Sequence, residues 1–203
     1  MPLDAEIPRR QAYFQTPALL FDTCGLTWFT KDDSRMRQLM EVSKSYLVIV
    51  PTPVMYELAF GVPGTASSNE EKLWAEINSH GRSHEMQHFN WLQLRNQVPK
   101  NGLMLINPGF NEWWTARTRI LKYVEVAKAQ PGKSKRNDSF DALIHAMARN
   151  LFVPVCTDNV KDFEKFNRAG TLINRDGVVP LFTPEQVVES LTGTVKYVPL
   201  HSS

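Results

Sequence analysis

Four acidic residues of this 203-residue chain lie next to apolar segments and could together bind a divalent metal ion. They are Asp22, Glu57, Asp141 and Asp162. Carboxylates that come close together in a fold repel one another unless a cation lies between them. A hard ion such as Mg²⁺ or Mn²⁺ prefers oxygen ligands of this type. Because carboxylate-bound Mg²⁺ is suited to reactions at phosphate groups, these residues predict a metal-dependent enzyme that acts on phosphoesters.

Short buried strands alternating with helices would bring these acids together. Four apolar runs lack polar–apolar alternation, which is typical of strands covered on both faces: residues 18–21, 47–50, 103–106 and 152–155. A last strand is predicted near Thr171–Asn174. Helices are predicted over residues 32–45, 53–61, 70–95, 110–129, 138–150, 160–167 and 184–191. The alternation predicts an α/β fold with three layers, α/β/α, around a central parallel sheet of four or five strands.

All four acids are expected at the carboxyl edge of this sheet, where parallel α/β folds bind ligands. Asp22 directly follows the first strand, and Glu57 lies near the end of the first turn of the helix after the second strand. Neither has an evident role as a helix cap, which favours a functional role for both. Asp141 lies near the start of the helix before the fourth strand, and Asp162 lies one turn into the helix after it.

Other polar residues near this edge have structural alternatives. Asp158 or Asn159 could cap the helix that carries Asp162, since both residue types are good N-caps. Asp138 is favoured in a first helical turn by the helix dipole alone. Asp158 therefore stays open between a cap and a support of the site, while Asp138 is assigned to the helix.

Three segments of the chain resemble the PIN-domain ribonucleases, in particular the VapC-like toxins of toxin–antitoxin pairs. These segments are ALLFDTCGLTWF, PTPVMYELAFG and DALIHAMARNLFVPVCTDNVKDF. Their order and approximate spacing agree with the family over residues 18–174, and residues 62–102 are the part that matches poorly. The resemblance implies a PIN-like fold and an endoribonuclease that uses Mg²⁺ or Mn²⁺ to cleave RNA, as the toxin of a toxin–antitoxin pair.

The resemblance also implies roles for individual residues. All four acids occupy the family's acidic positions, with Asp22 and Asp141 as the primary metal ligands and the other two binding a second ion or orienting water. Thr157 and Asn159 would correspond to polar residues beside the metal, with Asp158 between them. Cleavage would leave a 5′-phosphate and a 3′-hydroxyl, and no side chain would act as the nucleophile.

Two residues depart from the family pattern. Cys24 stands where many relatives have serine, and a thiol is a poorer hydrogen-bond partner near a hard metal ion. His145 replaces a small residue one turn after Asp141, and it shares a helical stripe with Asp138 and Asp141. We therefore name His145 as a candidate contact to substrate or to a ligating carboxylate.

An acidic site needs positive charge around it to bind RNA. Three basic residues lie immediately before the helix that carries Asp141, either in a solvated loop or as contacts to the RNA backbone: Lys133, Lys135 and Arg136. A second group combines aromatic and cationic residues that could stack bases: Trp113, Trp114, Arg117 and Arg119. Core packing would also account for at least one of the two tryptophans.

The length of the chain favours one domain, residues 1–203, with a helical insertion at about 62–102. Within that insertion His80, His84 and His88 invite a zinc interpretation, but on one helix the outer two would lie roughly 12 Å apart. Two cysteines match neither a disulfide scaffold nor a metal site. No apolar run approaches the roughly 20 residues of a membrane span. We predict a cytoplasmic protein with no membrane contact, and the resemblance implies RNA, an antitoxin protein and a homodimer as partners.

Other enzyme classes with acidic α/β sites fit less well. A haloacid-dehalogenase-type phosphatase needs a second aspartate at position 24, where Cys24 stands, and the glycine-rich motifs of nucleotide-binding folds are absent. A PIN-like module that binds RNA or protein without cleaving is the main alternative from another class. The presence of all four acids favours the enzyme. Their mutual repulsion is unfavourable, and a module that only binds RNA or protein would gain nothing from it. An RNA-processing or defence nuclease without an antitoxin stays open beside the toxin.

Overall fold

A parallel six-stranded sheet forms the centre of the protein. The computed structural model describes residues 18–60, 71, 73, 75, 83–85, 102–110, 112–118, 139–151, 153–174 and 178–192. The strands are β1 (Ala18–Phe21), β2 (Leu47–Pro51), β3 (Ser83–Glu85), β4 (Gly102–Asn107), β5 (Val155–Cys156) and β6 (Leu181–Phe182). Their order is β3-β4-β2-β1-β5-β6, and all neighbouring pairs are parallel. The predicted parallel α/β fold is confirmed, with the short edge strand β3 added to the four or five strands predicted.

Helices connect the strands, as the alternation predicts. They are α1 (Thr23–Thr30), α2 (Asp33–Ser45), α3 (Thr52–Phe60), α4 (Ser139–Leu151), α5 (Val160–Asn174) and α6 (Pro184–Leu191), and residues 112–118 are also helical. The start of α2 is fixed by Asp32, whose side chain accepts a hydrogen bond from the Arg35 amide at 2.9 Å. At the start of α6, Thr183 and Gln186 form a capping box around Pro184.

Two predicted elements differ from the structure. The last strand is Leu181–Phe182, whereas Thr171–Asn174 is the final turn of α5. A Thr-Leu-Ile run has high strand propensity, but propensity is a weak guide when a helix already runs into the segment. Residues 83–85 form β3 where a helix was predicted, because they pair with β4 from Leu105 to Asn107. The helical-rise argument against a histidine zinc site therefore does not apply, since His84 lies on a strand; His80 and His88 lie outside the described residues.

The core surrounds β1, β2 and α4. Every residue of β1 and β2 is buried, and so is every residue of α4 from Ala142 to Ala148. That helix contacts α3 and α5, so it is covered on more than one side. Phe140, in the first turn of α4, is half-buried. Among the described residues, no helix is long and apolar enough to cross a membrane.

The chain changes direction across the sheet between β1 and β5. From β1 it proceeds to β2 and β4 on one side, and it then crosses back to β5 and β6 on the other. Helix α1 contacts α2 and α3, and α4 contacts α5 and α3. The carboxyl ends of β1 and β5 therefore border the crevice in which open α/β sheets bind ligands.

Candidate active site

Asp22 lies at this crevice, immediately after β1, and its side chain is 2% exposed. One carboxylate oxygen accepts a hydrogen bond from the backbone amide of Gly25 at 2.6 Å, and the other accepts one from the hydroxyl of Thr157 at 2.6 Å. Asp22 is thus the N-cap of α1. The expectation that Asp22 has no capping role is wrong, because the residues of α1 do not indicate a helix and the cap is evident only once that helix is seen.

Burial makes the negative charge of Asp22 costly. Desolvation raises the pKa of Asp22 from 3.8 to about 7, the hydrogen bonds from Thr157 and Gly25 oppose that increase, and the charges of Asp141 and Glu57 add to it. The structure therefore brings three of the four predicted acids within electrostatic range of one another, although they come from β1, α3 and α4. A carboxylate that is buried beside two like charges favours either a proton or a cation.

Glu57 is held beside Asp22 by a neighbouring hydroxyl. The side chain of Thr23 donates a hydrogen bond to Oε2 of Glu57, which is half-buried. The adjacent residue, Tyr56, contacts the ring of Phe140 in an edge-to-face arrangement with centroids 6.1 Å apart. Because Tyr56 precedes Glu57 and Phe140 precedes Asp141, this aromatic contact fixes α3 against α4 where their two acids lie.

Asp162 has a different environment from the other three acids. The amide nitrogen of the Asn159 side chain donates to Oδ2 of Asp162, and Nζ of Lys165 lies 3.4 Å from Oδ1. Asp162 is not among the charges that raise the pKa of Asp22. The structure therefore places Asp162 in the first turn of α5, paired with a lysine whose side chain is 14% exposed.

Polar residues after β5 connect Asp22 with Asp162 through hydrogen bonds. Thr157 is buried, donates to Asp22, and accepts a hydrogen bond from the backbone amide of Asn159 at 2.9 Å. Asp158 is exposed, and the residue directly before α5 is Asn159. Burial raises the pKa of the Cys24 thiol to about 11, and the charges of Asp22, Asp141, Glu57 and Asp158 add to that increase. Cys24 is therefore a protonated thiol at the mouth of the site.

The donor types in this site fit a hard divalent cation, because Asp22, Glu57 and Asp141 all offer carboxylate oxygen. The raised pKa of Asp22 fits as well, since a cation would relieve the cost of its charge. In the described part of the chain, however, no group of three or more His, Cys, Asp or Glu side chains already has the geometry to hold an ion. The carboxylate donors therefore suit a metal ion. To bind one ion jointly, the side chains of Asp22, Glu57 and Asp141 would have to move closer together.

His145 lies inside the protein, at 1% exposure, and away from solvent. Its Nε2 lies 2.8 Å from Oδ1 of Asn167 on α5. The same Asn167 donates to the carbonyl of Val179 at 3.0 Å and accepts from the Val179 amide at 2.9 Å. This arrangement connects α4, α5 and the segment before β6, so the structure gives His145 a packing role that the sequence alone did not indicate.

Replacing Asn167 with alanine is expected to lower the free energy of unfolding by about 3 kcal/mol, because it leaves several buried polar groups without partners. The measurement is urea unfolding followed by circular dichroism. Ser43→Ala is the matched control, since it removes a half-buried hydroxyl that bonds only the nearby Met40 carbonyl at 2.8 Å. A loss no larger than that of the control would show that the contacts of Asn167 do not connect the helices.

Several residues of the site were not predicted, and others cannot be placed. The roles of four residues are evident only from the geometry: Thr23, Gly25, Lys165 and Asn167. An aspartate followed three residues later by glycine is, however, compatible with a helix start.

The predicted RNA contacts and several other candidates lie outside the described residues: Lys133, Lys135, Arg136, Arg119 and Asp138. Trp113 and Trp114 are both exposed, so the expectation that at least one packs in the core is wrong.

The fold and the site define a parallel α/β protein with an acidic crevice at the point where the strand order reverses. No family model matches the sequence, and no curated protein matches it. Among solved structures, the chain is similar to the crystal structure of VapBC2 from Rickettsia felis bound to a DNA fragment from their promoter. The similarity has a TM-score of 0.40 and 18% sequence identity, and it covers 82% of this chain and 98% of that chain. This likeness is distant.

Proposed function

We propose that this chain is a divalent-metal-dependent endoribonuclease that cleaves RNA phosphodiester bonds. The observation that supports this proposal most strongly is Asp22, a buried carboxylate at the sheet edge whose pKa is raised to about 7 by burial and by the charges of Asp141 and Glu57. Perturbed carboxylates that converge in a crevice are typical of functional sites. The PIN-like sequence pattern and the parallel sheet are consistent with the same activity.

Asp22 and Asp141 are the proposed primary ligands for Mg²⁺ or Mn²⁺, and Glu57 is proposed to bind a second ion or orient water. When bound, the ion supplies a lowered pKa for water and neutralises charge on the phosphate. The protein contributes orientation: Thr157 and the Gly25 amide hold both oxygens of Asp22, and Thr23 holds Glu57. A fixed carboxylate loses little entropy when it binds a cation, which favours occupation of the site.

Asp162 fits the same proposal in a supporting position. Its carboxylate is paired with Lys165, so it would have to exchange that contact to bind an ion directly. In its present position Asp162 holds Asn159, whose backbone amide in turn bonds the Thr157 hydroxyl that holds Asp22. Asp162 is therefore proposed either as a ligand of a second ion or as a support for Asp22 through Asn159 and Thr157.

The biological role proposed is that of a toxin in a toxin–antitoxin pair, and it rests on the sequence resemblance. Lys133, Lys135 and Arg136 are the proposed contacts to the RNA backbone. An RNA-processing or defence nuclease would use the same site residues. Expression of the chain with and without a small protein encoded beside it distinguishes these roles, because only a toxin would arrest growth in a way that the neighbouring protein reverses.

The activity is tested by incubating the purified protein with total RNA in Mg²⁺ or Mn²⁺ and, in parallel, in EDTA. We expect cleavage only with the ion, and a decrease of about three decades in rate for Asp141→Asn, since a metal contributes several kcal/mol to transition-state stabilisation. Glu41→Gln is the matched control, because Glu41 is an exposed acid on α2 paired with Lys44, and its rate should be unchanged. Cleavage that survives both EDTA and Asp141→Asn would contradict the proposed mechanism.

A further inference from the structure

Residues 110–118 carry their large aromatic side chains on the outside and a carboxylate on the inside. Phe110, Trp113 and Trp114 are 70%, 47% and 56% exposed, whereas Glu112 is 5% exposed. Together with Arg117, the three aromatic residues have the spacing i, i+3, i+4 and i+7, which places them on one helical face. Burying a large apolar side chain normally stabilises a fold, so a face that leaves three of them in water is typical of a binding surface.

Three of these side chains form a column along the helix. The rings of Phe110 and Trp114 are stacked, with centroids 6.2 Å apart and an angle of 23° between their planes. The guanidinium carbon of Arg117 lies 5.3 Å from the centre of the Trp114 ring. Because Phe110 precedes Trp114 by one turn and Arg117 follows it by one turn, Trp114 lies between them. The exposed Phe110 ring is therefore the end of the column at which another flat ring can stack.

The buried Glu112 holds the start of this helix in place. Its carboxylate accepts a hydrogen bond from the Gly109 amide at 2.9 Å and another from the Asn150 side chain at 2.6 Å. The first of these fixes the turn that carries Phe110, and the second attaches the helix to α4. A ring that is already fixed loses little conformational freedom when a ligand stacks on it.

The column begins at the same sheet edge as the acidic site. Phe110 follows the last residue of β4, Asn107, by only three positions, and the Thr52 hydroxyl lies 2.5 Å from Oδ1 of Asn107. Thr52 is the first residue of α3, the helix that carries Glu57 and the exposed Tyr56. An RNA strand whose phosphate is at the acids would therefore pass an exposed aromatic surface on this side of the sheet.

We propose that the column Phe110–Trp114–Arg117 is a subsite for single-stranded RNA, in which an unpaired base stacks on Phe110 and Arg117 faces the phosphodiester backbone. Aromatic rings joined to an arginine suit this ligand, since every base offers a flat face and the backbone is anionic. The proposal rests on the proposed ribonuclease function and adds a substrate class: unpaired rather than duplex RNA. A duplex keeps its bases stacked on one another and offers none to Phe110.

The test measures binding of a fluorescein-labelled, ten-nucleotide single-stranded RNA of mixed sequence, and of the same strand in a duplex, by fluorescence anisotropy. All proteins carry Asp141→Asn, which prevents cleavage. We expect Phe110→Ala to weaken binding of the single strand roughly tenfold, while Phe110→Tyr, which keeps a ring, stays within about twofold. Arg117→Ala should also weaken binding, and Arg37→Ala, which removes an exposed arginine on α2, should not. Val178→Ala, at a 40% exposed apolar position elsewhere, is the control for Phe110→Ala.

Three outcomes would overturn the subsite. They are unchanged single-strand binding by Phe110→Ala, an equal loss on duplex RNA, and a changed oligomeric state with unchanged RNA binding, which would identify a protein-docking surface. The fate of the nuclease proposal is separate, because the protein without Asp141→Asn is assayed for cleavage in parallel. If that protein cleaves RNA while Phe110→Ala binds normally, only the subsite fails. If it does not cleave while Phe110→Ala weakens binding, the subsite stands and the nuclease fails.

Discussion

Replacing Asp22 with asparagine is expected to abolish RNA cleavage and, at the same time, to stabilise the metal-free protein at alkaline pH. The loss of activity follows from the loss of a proposed primary ligand of the metal and should reach about three decades in rate. The gain in stability follows because asparagine fits the same hydrogen bonds without a charge. Its oxygen accepts from the Gly25 amide, and the Thr157 hydroxyl can reverse its role and accept from the new NH₂ group.

The pH dependence of this gain has a definite sign. The pKa of Asp22 is about 7 in the folded protein, against 3.8 for an unperturbed aspartate, so the folded state holds the proton more tightly. The resulting contribution to stability is complete below about pH 4 and is lost as the pH rises through 7. Relative to Asp22→Asn, the wild type should therefore lose on the order of 4 kcal/mol in its free energy of unfolding between pH 4 and pH 8.

Urea unfolding in EDTA at pH 4 and pH 8 measures this difference for the wild type and for Asp22→Asn. Added Mg²⁺ should stabilise the wild type at pH 8 and leave Asp22→Asn unaffected, because a ligand stabilises only the state that binds it. Asp32→Asn is the matched control, since Asp32 caps α2 as Asp22 caps α1 but is exposed. Its effect at pH 8 should be less than about 0.5 kcal/mol. A wild type that is as stable as Asp22→Asn at both pH values would show that the charge of Asp22 is already compensated.

Replacing Gly25 with alanine is expected to lower the free energy of unfolding by about 3 kcal/mol and to impair cleavage. A Cβ atom at Gly25 would lie 2.4 Å from the carbonyl oxygen of Cys156 and 3.0 Å from Oδ1 of Asp22. Moving this carbonyl away would be unfavourable, because it accepts a hydrogen bond from the Asp22 amide at 3.1 Å where β1 pairs with β5. In a helix alanine is otherwise more stable than glycine by about 1 kcal/mol. The expected loss of stability therefore comes only from the close contact of the new Cβ with Cys156.

Thermal and urea unfolding measure the effect of Gly25→Ala, and cleavage of total RNA measures its consequence for the site. Lys31→Ala at the other end of α1 provides the control, because Lys31 is exposed and the substitution introduces the same side chain. We expect the control to change the free energy of unfolding by less than about 0.5 kcal/mol. If Gly25→Ala were as stable as the wild type, α1 would not need to lie this close to β5, and Asp22 would not depend on that contact.

The sequence predicts strands β1, β2, β4 and β5 and the approach of Glu57 and Asp141 to Asp22, because both depend on local patterns. It does not predict β3, β6 or the pairing of Asp162 with Lys165. The buried strands read as continuous apolar runs, and Asp22 stands directly after one of them. The sequence does not predict α1, because TCGLTWFT combines glycine, three threonines and aromatic residues, and few of these favour a helix in isolation. Without α1 there was no helix for Asp22 to cap, and the tight approach of Gly25 to Cys156 could not be anticipated.

Contacts between side chains distant in sequence explain the remaining differences. His145 is paired with Asn167 only because of how α4 and α5 pack, whereas Lys165 and Asp162 lie one turn apart on α5. His145, one turn after Asp141, suggested contact with substrate or with a ligating carboxylate, whereas the structure buries it and pairs it with Asn167. In the same way, an exposed tryptophan and a buried one look alike in sequence, and only the packing of residues 112–118 shows which face is outside.

The hydrogen bond between Thr157 and Asp22 joins residues 135 positions apart in the chain. During synthesis, the site therefore cannot form until the ribosome has reached Thr157. At about 5 to 20 residues per second, a ribosome reaches Thr157 roughly 7 to 27 seconds after Asp22. The strand before Thr157 pairs on its far side with Leu181–Phe182, which are made later still. A nascent chain thus carries Asp22 and Glu57 before Asp141 and Thr157 are made. The proposed ribonuclease would therefore stay inactive beside the messenger that encodes it until β5 and β6 have joined the sheet.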